Sequence, residues 1–268
     1  MRRAIFTIGD LRLSTASTGT GRPCLFLHGL CGEAGQPAGV FPHDCGWRCV
    51  TLECRGHGQS DLGDIADLSI RRFAADVAAF AASLDGPPPV IGGISMGAAI
   101  ALRLAVTKPR MFCGLILARP AWVDEESPDP LAPHRRIAGY LADHDPAAAR
   151  RRFQDSAMAR AIATESPDNL ASLLGFFDRH PIDQTQALLA AIGRDGPGVT
   201  GQDIAALAMP TLIIGTDHDV VHPLAMARRL AELIPASHLV EITSKSEHQE
   251  LYVEEFRGAL HGFLKEIA

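Results

Sequence analysis

The chain has 268 residues, 47% hydrophobic and 21% charged, with a mean hydropathy of +0.08, the balance of a globular protein rather than a disordered or membrane chain. The formal net charge of −6 is spread without acidic or basic tails, which argues against a nucleic-acid footprint and a polybasic membrane patch and leaves a small molecule as the expected partner. At this length one compact domain with an insertion is the natural organisation.

Residues 1–10 carry two arginines, but the apolar stretch behind them is broken at Thr7, Gly9 and Asp10, before it reaches the length of a signal-peptide core. No later segment is long enough to span a bilayer, so the expected location is the cytoplasm. Strands are predicted over 4–8, 11–16 and 24–27, the last running into His28-Gly29-Leu30-Cys31-Gly32, with Gly19-Thr20-Gly21 as a turn. A further strand over 49–54 ends in Arg55-Gly56-His57-Gly58-Gln59-Ser60. The segment 69–84 then has helical spacing, with Phe73, Val77, Phe80 and Leu84 on one side. Six cysteines, at 24, 31, 45, 49, 54 and 113, are expected as free thiols, because several fall in or beside buried strands and none forms a C-x-x-C pair.

The alternation continues with a strand over 89–94, a helix over 95–107 and a strand over 114–118. It resumes with a strand over 211–215, a helix over 223–233, a strand over 238–242 and a closing helix over 251–266. Such an order implies an α/β fold with a mostly parallel eight-stranded sheet covered by helices on both faces. Residues 1–118 and 211–268 form the core on this reading. Residues 119–210 form an inserted helical cap, whose prolines at 128, 130, 133, 146, 167, 181 and 197 are helix starts or stops. The Arg150-Arg151-Arg152 run in the cap reads as a solvated helix face.

Gly93-Ile94-Ser95-Met96-Gly97 fits G-x-S-x-G between an apolar strand and an Ala-rich helix. A sharp strand-to-helix turn pushes a serine hydroxyl out of the sheet edge only if the residues two before and two after are small, and Gly93 and Gly97 meet that demand. The helix start aims free N–H groups at a developing oxyanion, so the backbone N–H of Met96 is one candidate donor. The second belongs to the glycine-rich loop after the third strand, where Leu30 stands. Serine also needs a base and an acid that orients it. In Gly215-Thr216-Asp217-His218-Asp219-Val220-Val221-His222-Pro223 two aspartates are available, and no histidine-rich partner segment supports reading them as metal ligands.

Taken together, these segments resemble the α/β-hydrolase fold family, especially its small esterase, lactonase and C–C hydrolase members, from about residue 20 to the end except for the cap. The resemblance implies Asp219 as the acid, four residues ahead of the helix-opening Pro223, with Asp217 as the fallback. It implies His248, in the loop after the last strand, as the base, whereas His238 and His261 are structural or on the surface. This chain has Glu247 where such relatives often place a glycine before the histidine. The R-G-x-G-x-S turn, with His57, is scaffold in the family. The implied activity is hydrolysis of a small ester or lactone through an acyl-enzyme on Ser95, with no metal or cofactor. C–C bond or amide hydrolysis, cofactor-free haloperoxidase-like activity and a ligand-binding receptor on the same fold are the alternatives. Trp122, Phe176 and Phe177 are the candidate substrate contacts in the cap, against the plainer reading that they pack it onto the sheet.

Overall fold

Aliphatic runs bounded by glycine-rich turns form eight strands in the computed structural model, which describes residues 1–268. They are β1 (Arg2–Ile8), β2 (Leu11–Thr18), β3 (Arg22–Leu27), β4 (Trp47–Leu52), β5 (Val90–Ile94), β6 (Gly114–Ala118), β7 (Thr211–Thr216) and β8 (Ser237–Ile242). They form one sheet in the order β1-β2-β4-β3-β5-β6-β7-β8, in which β2 runs antiparallel to β1 and β4 and all other neighbours are parallel. Every residue of β5, β6 and β7 is buried, which is why these strands read as continuous apolar runs rather than alternating ones.

Helices α1 (Gly35–Val40), α2 (Ile70–Ala82) and α3 (Met96–Thr107) precede β6. Between β6 and β7 the chain holds α4 (Ala132–Asp143), α5 (Pro146–Gln154), α6 (Ala157–Glu165), α7 (Pro167–Gly175), α8 (Ile182–Ile192) and α9 (Gly201–Ala205), and no strand. Helices α10 (Leu224–Leu233) and α11 (Gln249–Glu266) complete the fold. One core unites Phe73 and Val77 of α2, Leu102 of α3 and Leu230 of α10 with the insertion; the other packs Phe256 and Leu260 of α11 against Phe26 of β3 and Val40 of α1. The sheet therefore carries helices on both faces. No helix is long and apolar enough to cross a membrane.

Prolines open α4, α5 and α7, and side chains at Asp145, Ser156 and Thr200 accept the first free N–H groups of α5, α6 and α9. The short α9 lies against α3 and α10, so the end of the insertion returns to the core before β7 begins. Of the arginine run in α5, Arg150 is paired with Asp178, while Arg151 and Arg152 are exposed, Arg152 covering the ring of Tyr140. All six cysteines are unpaired, and Cys24, Cys49 and Cys54 are buried.

Candidate active site

The carboxyl ends of the parallel strands carry most of the backbone strain in the molecule. Of six non-glycine residues with positive φ, four follow these ends: Cys31 after β3, Ser95 after β5, Arg119 after β6 and His218 after β7. Such conformations persist only where the surroundings enforce them, and they collect at functional sites. Ser95 stands at φ +56°, ψ −113° between β5 and α3, its backbone N–H donating to Ala118 O at 3.0 Å.

The flanking glycines are a steric requirement. A Cβ on Gly93 would lie 2.5 Å from the carbonyl carbon of Gly97, and one on Gly97 would lie 2.6 Å from Leu27 O. Gly93→Ala is expected to cost about 2–3 kcal/mol, because backbone rather than a flexible side chain must move, and a lowered urea midpoint with an unchanged m-value would show it.

Ser95 lines a cavity of about 130 Å³ together with Gly29, Leu30, Arg119, His134, Phe176 and His222, among others. On the sheet side, Leu30 and Met96 hold their backbone N–H groups without an acceptor in the chain, whereas the neighbouring Gly29 N–H is taken by Gln36 Oε1 at 2.7 Å. The structure thus leaves unpaired the two donors that the sequence nominates, Met96 directly after the serine and Leu30 in the lining of the same cavity. His28 beneath them is spent on structure: Nε2 accepts from Cys54 N–H at 3.0 Å, and Nδ1 lies 2.8 Å from Gly29 O. His57 stacks on it at 4.7 Å with Nδ1 at 2.8 Å from Arg55 O, so the R-G-H-G-Q-S turn supports the loop from below.

Asp219 is buried at the end of β7, and both of its oxygens are occupied. Oδ2 accepts from Arg119 through Nε at 2.7 Å and Nη2 at 2.5 Å. His222 donates through its backbone N–H to Oδ1 at 3.0 Å and places Nδ1 at 3.0 and 3.1 Å from the two oxygens. Burial works against the charge of Asp219, but Arg119 and His222 more than offset it and hold the carboxyl well below the usual carboxylate range. Its loop is clamped from the insertion: Ser166 Oγ donates to His218 O and accepts from Val220 N–H, and Asn169 Oδ1 accepts from Val221 N–H at 3.0 Å. Asp217, the fallback acid, is exposed.

His248 is not brought to this cluster. It is exposed at the N-cap of α11, where Nδ1 accepts the Leu251 N–H at 3.2 Å, and it bonds to neither Asp219 nor Ser95. The physical reason is occupancy, since Arg119 and His222 already fill the carboxylate towards which an imidazole from that loop would turn. Glu247 before it is bound to Ser244, at 3.2 Å between Glu247 Oε2 and Ser244 Oγ. Of the three aromatic candidates only Phe176 lines the cavity, in contact with the His134 ring. Trp122 and Phe177 are core: Trp122 is buried with its Nε1 donating to Asp195 O at 2.8 Å, and Phe177 packs on Phe153.

Sequence reasoning missed Arg119, His134 and His222. Arg119 reads as the first residue of a loop, and His222 as one histidine among several around the acid. Only His222, three residues after Asp219 and immediately before a proline, had a signal that could have been followed. No group of three or more His, Cys, Asp or Glu side chains is arranged to hold a metal ion.

The sequence matches the alpha/beta hydrolase fold family over residues 22–254. It is 26% identical over 253 residues to the putative non-heme bromoperoxidase BpoC of Mycobacterium tuberculosis, covering 87% of this chain and 89% of that protein. Among solved structures, Est816, described as an N-acyl homoserine lactone degrading enzyme, superposes with a TM-score of 0.72 at 22% identity over 97% of this chain and 100% of that one. A thermophilic esterase from Thermogutta terrifontis superposes with a TM-score of 0.70 at 22% identity over 98% of this chain and 99% of that one. With the sheet order, the strained serine turn and this match in hand, the chain belongs to the α/β-hydrolase fold family.

Proposed function

We propose that this protein is a serine hydrolase that cleaves a small ester or lactone through an acyl-enzyme on Ser95. The observation that carries the reading is the placement of Ser95: a strained residue at the start of a helix, lining a cavity, with unpaired N–H groups at Leu30 and Met96 beside it. Ser95 Oγ attacks the acyl carbonyl while a histidine held by Asp219 takes its proton. The Leu30 and Met96 N–H groups receive the negative oxygen, and the leaving alcohol departs with the proton. Water then releases the acid by the same route.

The small cavity suits a compact substrate, and the lactone-degrading and esterase activities named for two structural neighbours favour the ester and lactone class. A haloperoxidase-like activity without a cofactor is the second reading, favoured by the 26% identity to a protein named as a bromoperoxidase. The test is labelling of the folded protein with a fluorophosphonate, mapped by peptide mass spectrometry, for wild type and Ser95→Ala. Modification at Ser95 in the wild type only is the expected result and sends the work to a panel of p-nitrophenyl esters and lactones. A wild type that stays unlabelled overturns the serine mechanism and favours a ligand receptor on this fold.

A further inference from the structure

We propose that His222, rather than His248, is the general base of this site, its Nε2 carrying the proton between Ser95 Oγ, the leaving alcohol and the attacking water. This rests on the serine-hydrolase reading above and names the one participant that reading leaves open.

Three observations support it. First, the hydrogen bonds set the tautomer. Asp219 is ionised beside Arg119 and can only accept, so the Nδ1 atom of His222 at 3.0 and 3.1 Å from its oxygens carries the hydrogen, and Nε2 keeps its lone pair. Second, the position is right. His222 lines the same cavity as Ser95 and Leu30, and neither its Nε2 nor Ser95 Oγ is spent on another group of the chain. Acid–base contacts of this kind commonly tighten only in the substrate complex. Third, the imidazole is braced. Its own backbone N–H donates to Asp219 Oδ1, the preceding Val221 N–H is held by Asn169, and Pro223 restricts the backbone after it.

His248 meets none of these conditions. Its Nδ1 accepts a backbone N–H, which places any ring hydrogen on Nε2, the opposite of the tautomer an orienting aspartate requires. The side chain is exposed, outside the cavity, and Asp219 has no oxygen left for it.

The charged and titratable groups facing His222 are Asp219, Arg119, Asp168 at the start of α7 and His134 of α4. Burial lowers the affinity of His222 for a second proton, Asp219 raises it and Arg119 lowers it again, with a net downward shift. An imidazole so placed is neutral at pH 7 and ready to accept. In the first step a bond forms between Ser95 Oγ and the carbonyl carbon as the hydroxyl proton moves to Nε2. In the second the carbon–oxygen bond to the leaving group breaks and that oxygen takes the proton. In deacylation water gives a proton to Nε2 and attacks. The bond to Oγ then breaks, and the proton returns to Oγ.

The experiment compares His222→Asn with His248→Asn in the full chain, by kcat for p-nitrophenyl acetate, by the rate of fluorophosphonate labelling at Ser95 and by thermal unfolding. At 222 the asparagine amide places an N–H where Nδ1 donates to Asp219, and at 248 its oxygen keeps a capping acceptor for α11, so both substitutions spare the local structure. The expected result is a loss of about 10³-fold in both rates for His222→Asn at a nearly unchanged unfolding midpoint, with His248→Asn within about tenfold of wild type. A fall of 100-fold or more in His248→Asn overturns the proposal whether or not the other variant folds, as does a folded His222→Asn within about tenfold of wild type. A wild type unlabelled at Ser95 removes the hydrolase reading itself, a different outcome from either histidine result.

Discussion

Ser95→Ala is expected to lower kcat on a p-nitrophenyl ester by about 10⁴–10⁶-fold while leaving the fold and its stability intact. The expected loss is large because, in the proposed mechanism, Ser95 Oγ forms the covalent intermediate, and Ser172, the other serine lining the cavity, is exposed on α7 and does not stand on the strained turn. Cys31, the thiol in the Leu30 loop, is half-buried, and desolvation raises its pKa to about 12, which leaves almost no thiolate at neutral pH. The residue left behind retains the Leu30 and Met96 donors and the cavity, so a weak residual rate above the uncatalysed one is expected. Stability adds a second readout. Alanine meets the same steric objection to φ +56° as serine, whereas glycine does not, so Ser95→Gly is expected to be inactive yet more stable than Ser95→Ala by about 1 kcal/mol. An active Ser95→Ala, or a stability order reversed between the two variants, would show that the turn is not the strained elbow of a nucleophile.

Arg119→Met is expected to destabilise the fold by about 3 kcal/mol at neutral pH, because it removes the cation from a carboxylate whose side chain is only 2% exposed. His222 keeps its two hydrogen bonds to Asp219 and limits the loss to the lower end of the range for a broken buried pair. The effect depends on pH in a definite direction. Asp219 has its pKa depressed in the folded protein, so the stability it supplies is fully present above the unfolded carboxylate value of about 3.9 and is lost as pH falls through the folded value below it. Removing Arg119 lets the folded pKa rise, so the gap between variant and wild type should be widest near neutrality and shrink as the solution is acidified below about pH 4. Urea titrations at several pH values measure this, and a gap independent of pH would mean that Arg119 acts through packing on Tyr252 rather than through the carboxylate.

The same substitution reaches the proposed base. Arg119 lowers the proton affinity of His222, so its removal should move the acidic limb of kcat/KM to higher pH. An acidic limb that stays in place would separate Arg119 from the group that titrates in catalysis. On the His222 proposal the pairing of Arg119 with Asp219 also tunes the base: burial lowers the proton affinity of His222 first, Asp219 raises it, and the cation lowers it again.

Much of this architecture is legible in the sequence. Buried parallel strands must be apolar on both faces, so β5, β6 and β7 announce themselves as unbroken runs, and the turn after β5 could be recognised because Gly93 and Gly97 have no room for a Cβ. Local rules of this kind, periodicity, capping and steric exclusion at a turn, act between residues close in sequence. They located Ser95 at a helix start, the Asp217 and Asp219 pair after a strand and the Leu30 loop, while the choice of Asp219 came from the family resemblance. Which side chains then meet depends on distances that local rules do not contain.

Arg119 and Asp219 are separated by 100 positions and are joined because β6 and β7 are neighbours in the sheet, so their carboxyl ends lie side by side. That contact takes Oδ2 and His222 takes Oδ1, which together leave no place for an imidazole from the loop after β8. His248 satisfied the sequence rule of chain order, whereas His222 satisfies the spatial one of hydrogen bonding and burial. Trp122 and Phe177 likewise had the chemistry of pocket residues but are used by the core, while Phe176, one position away, faces the cavity. The sequence by itself determined the sheet, the strained serine turn and the loops that border the site, because each is dictated by neighbours along the chain. Only the tertiary structure decided which histidine the acid holds, because one buried carboxylate has two oxygens and the packing of the sheet ends settles which donors reach them first.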